Sequence, residues 1–399
     1  MRLTHRLLAL PATAALVVGM LATGGPAAAE RSDPGTAQLA GQAQGAQEVA
    51  ARGGKKSGPK LKVMTQNLYL GSSLDPALNA GTAGEFLGAA AQIYGGAVAS
   101  RFPVRAAAIA KTVARTKPHL IGLQEVTRWT TLPLAAGANP PSYDFLKILQ
   151  SALRKQGLSY RVAGVVDNAT IGPVPLVAPQ FGCVNVASTS SFDCAVTLKD
   201  RDVILVRKGI RGLELGKAVT GRYAEQQSFP VPGTDGLTLD FGRGWVYVDG
   251  TLRGSRFRFL NTHLEIGRFG AVQEAQAAEF LAGPAKAGRP VIATGDFNSP
   301  ADPTVSTTST YVDLTRRWFD DAWAVRGSAL GFTCCQSGAL DNPTKSLRTR
   351  IDLILTRGVQ TRFARVVGAK PIAETVPRWA SDHAGVVAGL QLKAKRTAR

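Results

Sequence analysis

The chain has 399 residues, 45% of them hydrophobic, with 47 Lys and Arg against 28 Asp and Glu and a formal net charge of +19. Past the first 29 residues no run is long and apolar enough to span a bilayer, which excludes a bundle of membrane-spanning helices. So basic a chain attracts polyanions, whether nucleic acid, anionic headgroups or cell-wall polymers.

Residues 1–29 read as a secretory signal. Arg2, His5 and Arg6 form a basic start, Leu7 to Leu21 are almost wholly apolar, and Pro26 to Ala29 supply small residues for cleavage before Glu30. An exported, extracellular protein is expected. Residues 30–60, rich in Ala, Gly and Gln and without aromatics, read as a disordered linker. Residues 61–392 read as one long domain and 393–399 as a basic tail. Without signal, linker and tail the charge is still about +11, so the excess is not confined to the ends.

Within the domain, 61–67 alternates apolar and polar residues and is predicted as a strand ending at Asn67. Helices are predicted over 85–99 and 102–115, the second stopped by Pro118. A second strand, 119–126, carries Glu125 near its end, and 142–156 is an amphipathic helix with Phe145, Leu146, Leu149 and Leu153 on one side. Strands follow over 160–166, 202–206, 244–248 and 256–264, with 167–200 as a long polar excursion. A helix over 271–281 precedes the buried strand 289–294, which runs into Gly295, Asp296, Phe297 and Asn298. An irregular stretch, 300–345, leads to two last strands, 350–355 and 383–392. Two packed sheets with helices outside fit this order.

The four cysteines suit an oxidising compartment. Cys183 could close a loop with Cys194, leaving a vicinal Cys334–Cys335 pair, or the two regions could be cross-linked to each other. Zinc is disfavoured because neither pair has CxxC spacing or a neighbouring His.

Six strand edges carry polar or ionisable groups against apolar flanks: Asn67, Glu125, Asn261 with His263, Asp296 with Asn298, Asp352, and Asp382 with His383. Singly, each reads as readily as a turn former, a surface acid or a core acid paired with an Arg. Together they are hard to dismiss, because such groups are costly beside apolar strands unless partnered. Phosphoester hydrolysis gives them a common purpose: a hard cation for the phosphoryl oxygens, a base for water and proton donors for the leaving oxygen. Oxygen donors such as Glu125, Asp382 and the Asn67 amide suit Mg²⁺. Of the four histidines, His5 lies in the signal and His119 opens a strand, which leaves His263 and His383 for proton transfer and phosphate contact.

In order along the chain, Thr65 to Asn67, Leu123 to Glu125, Asn261 to Leu264, Gly295 to Asn298, Arg350 to Asp352 and Ser381 to His383 resemble the motifs of the endonuclease/exonuclease/phosphatase (DNase I-like) superfamily. The resemblance implies an α/β fold: a four-layer α/β/β/α sandwich of two packed mixed sheets with outer helices. It further implies Glu125, Asn67 and Asp382 about a Mg²⁺ ion, with Mn²⁺ or Ca²⁺ as alternatives. In it Asp296 and Asn298 present the attacking water, Asp352 orients His383, and His263 is the second imidazole. Asn261 and Arg243 are expected to contact substrate. The motifs leave the substrate open. A DNase I-like nuclease comes first, since Arg222, Arg243 and Arg268 could grip backbone phosphates of nucleic acid. A sphingomyelinase-type phospholipase C with transient membrane-surface contact, or a phosphomonoesterase on small substrates, comes next. A basic polyanion-binding module without turnover is the non-enzymatic reading. A monomer is expected.

Overall fold

The computed structural model describes residues 57–394 apart from 189–190, 235, 237 and 328–329. The signal, nearly all of the linker and most of the basic tail lie outside the described residues. No helix among the described residues is long and apolar enough to cross a membrane.

The chain runs β1 (Lys60–Asn67), α1 (Asp75–Leu78), α2 (Ala83–Ala99), α3 (Phe102–Thr116), β2 (Leu120–Gln124), β3 (Arg128–Pro133), β4 (Tyr143–Asp144) and α4 (Phe145–Lys155). It continues through β5 (Tyr160–Pro175), a short ribbon of β6 (Val186–Ser188) and β7 (Ser191–Phe192), β8 (Cys194–Arg207), β9 (Leu213–Arg222), β10 (Gln227–Pro230), β11 (Thr238–Phe241), β12 (Gly244–Leu252) and β13 (Ser255–His263). The last part holds α5 (Gly270–Ala282), β14 (Val291–Asp296), α6 (Thr310–Arg317), β15 (Asp320–Asp321), α7 (Ala322–Arg326), β16 (Asp352–Arg357), β17 (Gln360–Val367) and β18 (Gly385–Gln391). Helix starts are set by local chemistry. Thr82 and Glu85 form a capping box on α2, and the Asp144 carboxylate accepts the Leu146 and Lys147 amides of α4.

Two mixed sheets result. One has the order β17-β18-β1-β2-β8-β3-β4, with β5 also paired to β8, and the other the order β15-β16-β14-β13-β12-β9. The pairs β1–β2 and β13–β14 are parallel, so the carboxyl ends of these four strands lie at one end of their sheets. The sheets face each other across Leu61, Val63, Leu120 and Ile204 on one side and Val246, Phe257, Phe259 and Ile292 on the other. The outer face of the first sheet packs on α2, α3 and α4, and that of the second on α5 and α6. This is the expected four-layer α/β/β/α sandwich.

Three expectations need correcting. The supposed excursion 167–200 is largely strand: β5 and β8 pair antiparallel from Tyr160–Arg207 to Pro175–Ala195. Their register shifts three times, between Val162 and Gly164, Asp167 and Ala169, and Ile171 and Val174, which hides the alternation from the sequence. The stretch 300–345 holds α6, β15 and α7, and the strand β17 went unpredicted. Lys60, assigned to the linker, is the first residue of β1. Of the cysteine alternatives, Cys183 bonds Cys194 with an S–S distance of 2.05 Å, and Cys334 pairs with Cys335.

Candidate active site

Period-two alternation sets which residues enter the gap between the sheets. In β1 these are Leu61, Val63, Thr65 and Asn67, in β13 Phe257, Phe259, Asn261 and His263, and in β14 Ile292, Thr294 and Asp296. Each row runs from apolar to hydroxyl or amide to an amide or ionisable group at the strand end. The middle positions form a buried polar layer. Gln124 Nε2 donates to Asn261 Oδ1 at 2.6 Å and to Thr65 Oγ1 at 3.2 Å, Asn261 Nδ2 donates to the Leu123 carbonyl at 2.9 Å, and Thr294 Oγ1 donates to the Leu260 carbonyl at 2.9 Å. Gly122 makes room for this layer: a Cβ there would stand 2.2 Å from Thr294 Oγ1 and 2.4 Å from Asn261 Oδ1. Asn261, expected to touch substrate, is wholly buried and braces the two sheets instead. Its hydrogen-bonding groups are spent on protein.

The terminal layer converges. Asn67 Nδ2 donates to Glu125 Oε1 (2.8 Å) and Asp296 Oδ2 (3.1 Å), while Asn67 Oδ1 accepts the Tyr69 amide (2.8 Å). Glu125 Oε2 accepts the Leu70 amide at 2.7 Å. Asp296 and Asp352 are direct neighbours across β14 and β16. His383 Nδ1 lies 2.8 Å from Asp352 Oδ2 and 3.7 Å from Asp296 Oδ2, and its Nε2 lies 4.0 Å from Asp382 Oδ1. On the other side of Asp296, His263 Nε2 is 3.6 Å from Oδ2, and Asn298 Nδ2 is 3.0 Å from that nitrogen. Glu125 (φ 52) and Asn298 (φ 50) both hold left-handed backbone. Such conformations are unfavourable for residues with a Cβ and persist where the surroundings impose them. Here the peptide turns at the strand end so that each side chain comes back over its own sheet.

The electrostatics divide the two imidazoles. Burial and the Arg243 guanidinium push His263 down to about 3, so it is neutral. Arg243 Nη1 donates to its Nδ1 at 3.0 Å, and Asn298 Nδ2 stands 3.0 Å from its Nε2, the nitrogen nearer Asp296. Burial also opposes charge on His383, but Asp352, Asp382 and Asp296 outweigh it and hold His383 well above the ordinary histidine range. Burial alone would raise Asp296; His383, His263, the Asn67 amide and the Asn298 N–H together hold it below the usual carboxylate range. Glu125 is pushed up to about 7, first by burial and then by Asp382 and Asp200. Burial likewise raises Asp382.

Glu125, Asp200 and Asp382 line one cavity of about 220 Å³. Its one lining cation, Arg243, is engaged by Glu265 (3.3 and 3.4 Å) as well as by His263. Carboxylates that share a cavity so, each with its pKa raised by burial, are a donor set suited to a hard divalent cation. Glu125 and Asp382 offer oxygens to such an ion; Asn67, expected as a third ligand, turns its Nδ2 to Glu125 and Asp296 and its Oδ1 to the Tyr69 amide and so braces Glu125 instead. Arg222 and Arg268 are exposed on the surface.

Several residues at the site escaped the sequence reading. Arg105, on the same face of α3 as Phe102 and Ile109, is fully buried and holds the loops after β1 and before β18. An Arg in that apolar stripe was the signal. Asp200 and Glu265 line the cavity, together with an apolar wall of Leu74, Leu78, Phe229, Phe241 and Phe269. Phe229 and Phe241 come from β10 and β11, a hairpin hidden by its short, polar strands.

A family model described as the Endonuclease/Exonuclease/phosphatase family matches residues 64–383. No curated protein matches the chain in sequence. Among solved structures, an endonuclease/exonuclease/phosphatase family protein from Bacteroides thetaiotaomicron is 19% identical, with TM-score 0.50 over 84% of this chain and 98% of that one. A mannosyl-6-phosphatase from the same species is 18% identical, with TM-score 0.50 over 83% and 99%. A humanised TDP2 of D. rerio is 14% identical, with TM-score 0.48 over 83% and 98%. At these identities the likeness concerns the fold.

Proposed function

The chain belongs to the endonuclease/exonuclease/phosphatase family, whose members hydrolyse phosphoesters, and from that premise we propose that it is a divalent-metal-dependent phosphodiesterase. The observation that carries this reading is the convergence of Asn67, Glu125, His263, Asp296, Asp352 and His383 at one end of the sheet gap. In this reading Glu125 and Asp382 hold Mg²⁺, with Asn67 positioning Glu125 and with Mn²⁺ or Ca²⁺ as substitutes. The ion supplies charge neutralisation for the phosphoryl oxygens.

The remaining work falls to the side chains. Asp352 fixes the Nδ1–H of His383, which leaves Nε2–H to donate to a phosphoryl or leaving oxygen. As a protonated imidazole, His383 cannot also accept the proton of water. Asp296 stays ionised and is the acceptor for that proton, oriented by the Asn298 amide (3.0 Å) and by Asn67. Neutral His263 stands beside it, held in place by Arg243 on Nδ1 and Asn298 on Nε2.

Two substrates have specific support. The net charge of +19 and the exposed Arg222 and Arg268 favour nucleic acid, the first reading. The hairpin with Phe229 and Phe241 on the cavity wall favours an ester with an apolar group beside its phosphate, as in a sphingomyelinase-type phospholipase C. Export through residues 1–29, a catalytic domain over 61–392 and a monomeric state belong to the same proposal.

The test is a parallel assay on plasmid DNA, RNA, sphingomyelin, a chromogenic phosphodiester and a chromogenic phosphomonoester, each with Mg²⁺ and with EDTA. Cleavage of a diester that EDTA stops, and that Asp296→Ala or His383→Ala lowers by orders of magnitude with the fold intact, is expected. Near-wild-type turnover in either variant sinks the site assignment. Cleaved sphingomyelin beside intact DNA reverses the order of substrates, and cleavage of the monoester alone removes the diesterase reading.

A further inference from the structure

Asp200 and Asp202 lie two apart on β8 and so share a face of the strand. That face meets the end of β13, and one donor atom each from Asp200, Asp202 and His263 falls within 4.8 Å of the others. Asp202 has no exposed surface, and neither of its carboxylate oxygens has a partner at good hydrogen-bond geometry, because the Asn168 amide that also acts on it is aimed at Asp200. Asp200 Oδ1 is also buried and unpartnered, while its Oδ2 accepts from Asn168 Nδ2 at 3.0 Å. Three carboxylate oxygens therefore sit out of water without a donor.

A buried carboxylate in that condition costs several kcal/mol unless something positive meets it. The nearby cation, Arg243, gives its guanidinium to Glu265 and His263. Arg201, the neighbour in sequence, turns away to Asp144 (2.9 Å) and the Val126 carbonyl (2.9 Å). Asp200, Asp202 and Glu265 thus face one guanidinium, with Glu125 adding to the excess. A single proton shared between Asp200 and Asp202 would satisfy two of the three oxygens and leave the third bare. A divalent cation would satisfy all of them.

We propose that Asp200 and Asp202 form a second divalent-cation site, separate in residues from the set around Glu125 and adjoining the Arg243–His263 pair. Two carboxylates are an all-oxygen donor set, which suits a hard ion such as Mn²⁺. Asp200 lines the cavity, so the ion enters from the same mouth as substrate. His263, which faces Asp296 on its other side, keeps its Nδ1 on Arg243.

The proposal is tested by metal content, without turnover. The full protein is stripped with EDTA, dialysed against Mn²⁺ and analysed for bound metal. Asp202→Asn, which keeps the shape and removes the charge, is expected to carry one equivalent less than wild type, and Glu125→Gln to lose a different one, so that the losses add. Asp202→Asn with the wild-type equivalents overturns the proposal. Because that variant could fail to fold, wild-type crystals soaked in Mn²⁺ give the independent measurement. An anomalous peak at bonding distance from both Asp200 and Asp202 is expected; the lack of one, whatever is seen at Glu125, overturns the site.

Discussion

Replacing Arg105 with Met should unfold the molecule far more easily and loosen the candidate site at the same time. The guanidinium is fully buried and donates to the carbonyls of Leu68 (2.6 Å), Ser100 (3.1 Å), Tyr69 (3.1 Å) and Ala380 (3.2 Å) and to Ser100 Oγ (3.2 Å). It also lies over Phe102 at 4.8 Å, a contact that Met partly keeps. Removal leaves four buried carbonyls without a donor, at about 1–3 kcal/mol each. Against this stands the relief of no longer burying a cation, itself several kcal/mol; burial already draws Arg105 down to about 10. The net loss should be about 3–5 kcal/mol. For a domain of this size that lowers Tm by roughly 6–20 °C, at about 2–4 °C per kcal/mol. Differential scanning calorimetry measures it. The same loops place the Leu70 amide on Glu125 and the Tyr69 amide on Asn67, so metal affinity should fall too. A Tm within about 2 °C of wild type would refute the view that Arg105 is the clamp of this end of the molecule.

Four further outcomes are expected. Asp352→Asn removes the charge-assisted bond to His383, about 1.5–3 kcal/mol or roughly 10- to 150-fold in kcat; it should also bring the His383 pKa down, moving the alkaline limb of the rate profile to lower pH, and an unmoved limb counts against the pairing. His119 accepts the Lys62 amide on Nδ1 (3.1 Å), and burial with Arg207 and Lys62 pushes it to about 4, against about 6.5 in the unfolded chain. Between those values the unfolded state binds the proton and the folded state does not, so stability should fall as pH falls through that window; His119→Gln should flatten the slope of urea midpoint against pH, and an unchanged slope contradicts the assignment. Gly122→Ala should cost about 1–3 kcal/mol, because its Cβ would overlap Thr294 Oγ1 and Asn261 Oδ1, and urea melts at wild-type midpoints would show that the polar layer yields freely. Cys335 Sγ lies 3.9 Å from His383 Nε2, so an oxidised Cys334–Cys335 pair should shape the surroundings of that imidazole; a reductant should then change KM more than Tm, and free thiols in peptide maps of the native protein defeat the idea.

The site was legible because strand alternation names a face, and the groups at the ends of those faces stood out against apolar neighbours. It does not name a depth. Asn261 and His263 share one face of β13, yet Asn261 is a step further into the gap and braces the sheets while His263 reaches the end. Arg243 was legible as a site residue but its role was not: Glu265, a residue just past the motif, and His263 both hold it. The β5–β8 ribbon escaped because its bulges break the period, and with it went Asp200 and the cavity wall. Arg105 could have been read from the stripe of α3, but its partners are carbonyls, which no sequence pattern marks.

The outside of the molecule and the inside of the cavity have opposite signs, and this constrains what can react. The basic surface draws in any polyanion or anionic interface. The cavity itself presents Glu125, Asp200, Glu265 and Asp382 to whatever enters, with Arg243 already committed. On the proposed reading a bare phosphate would be repelled there, so entry would depend on a cation bound first and would be limited to the one ester group that the cation neutralises. Attraction and reaction are thus separate steps, and salt should act on them differently. Raising salt should weaken the attraction and increase KM, while kcat for the bound ester stays nearly constant. A kcat that falls in parallel with the rise in KM would mean that surface charge reaches the reacting phosphate and that the cavity does not act alone.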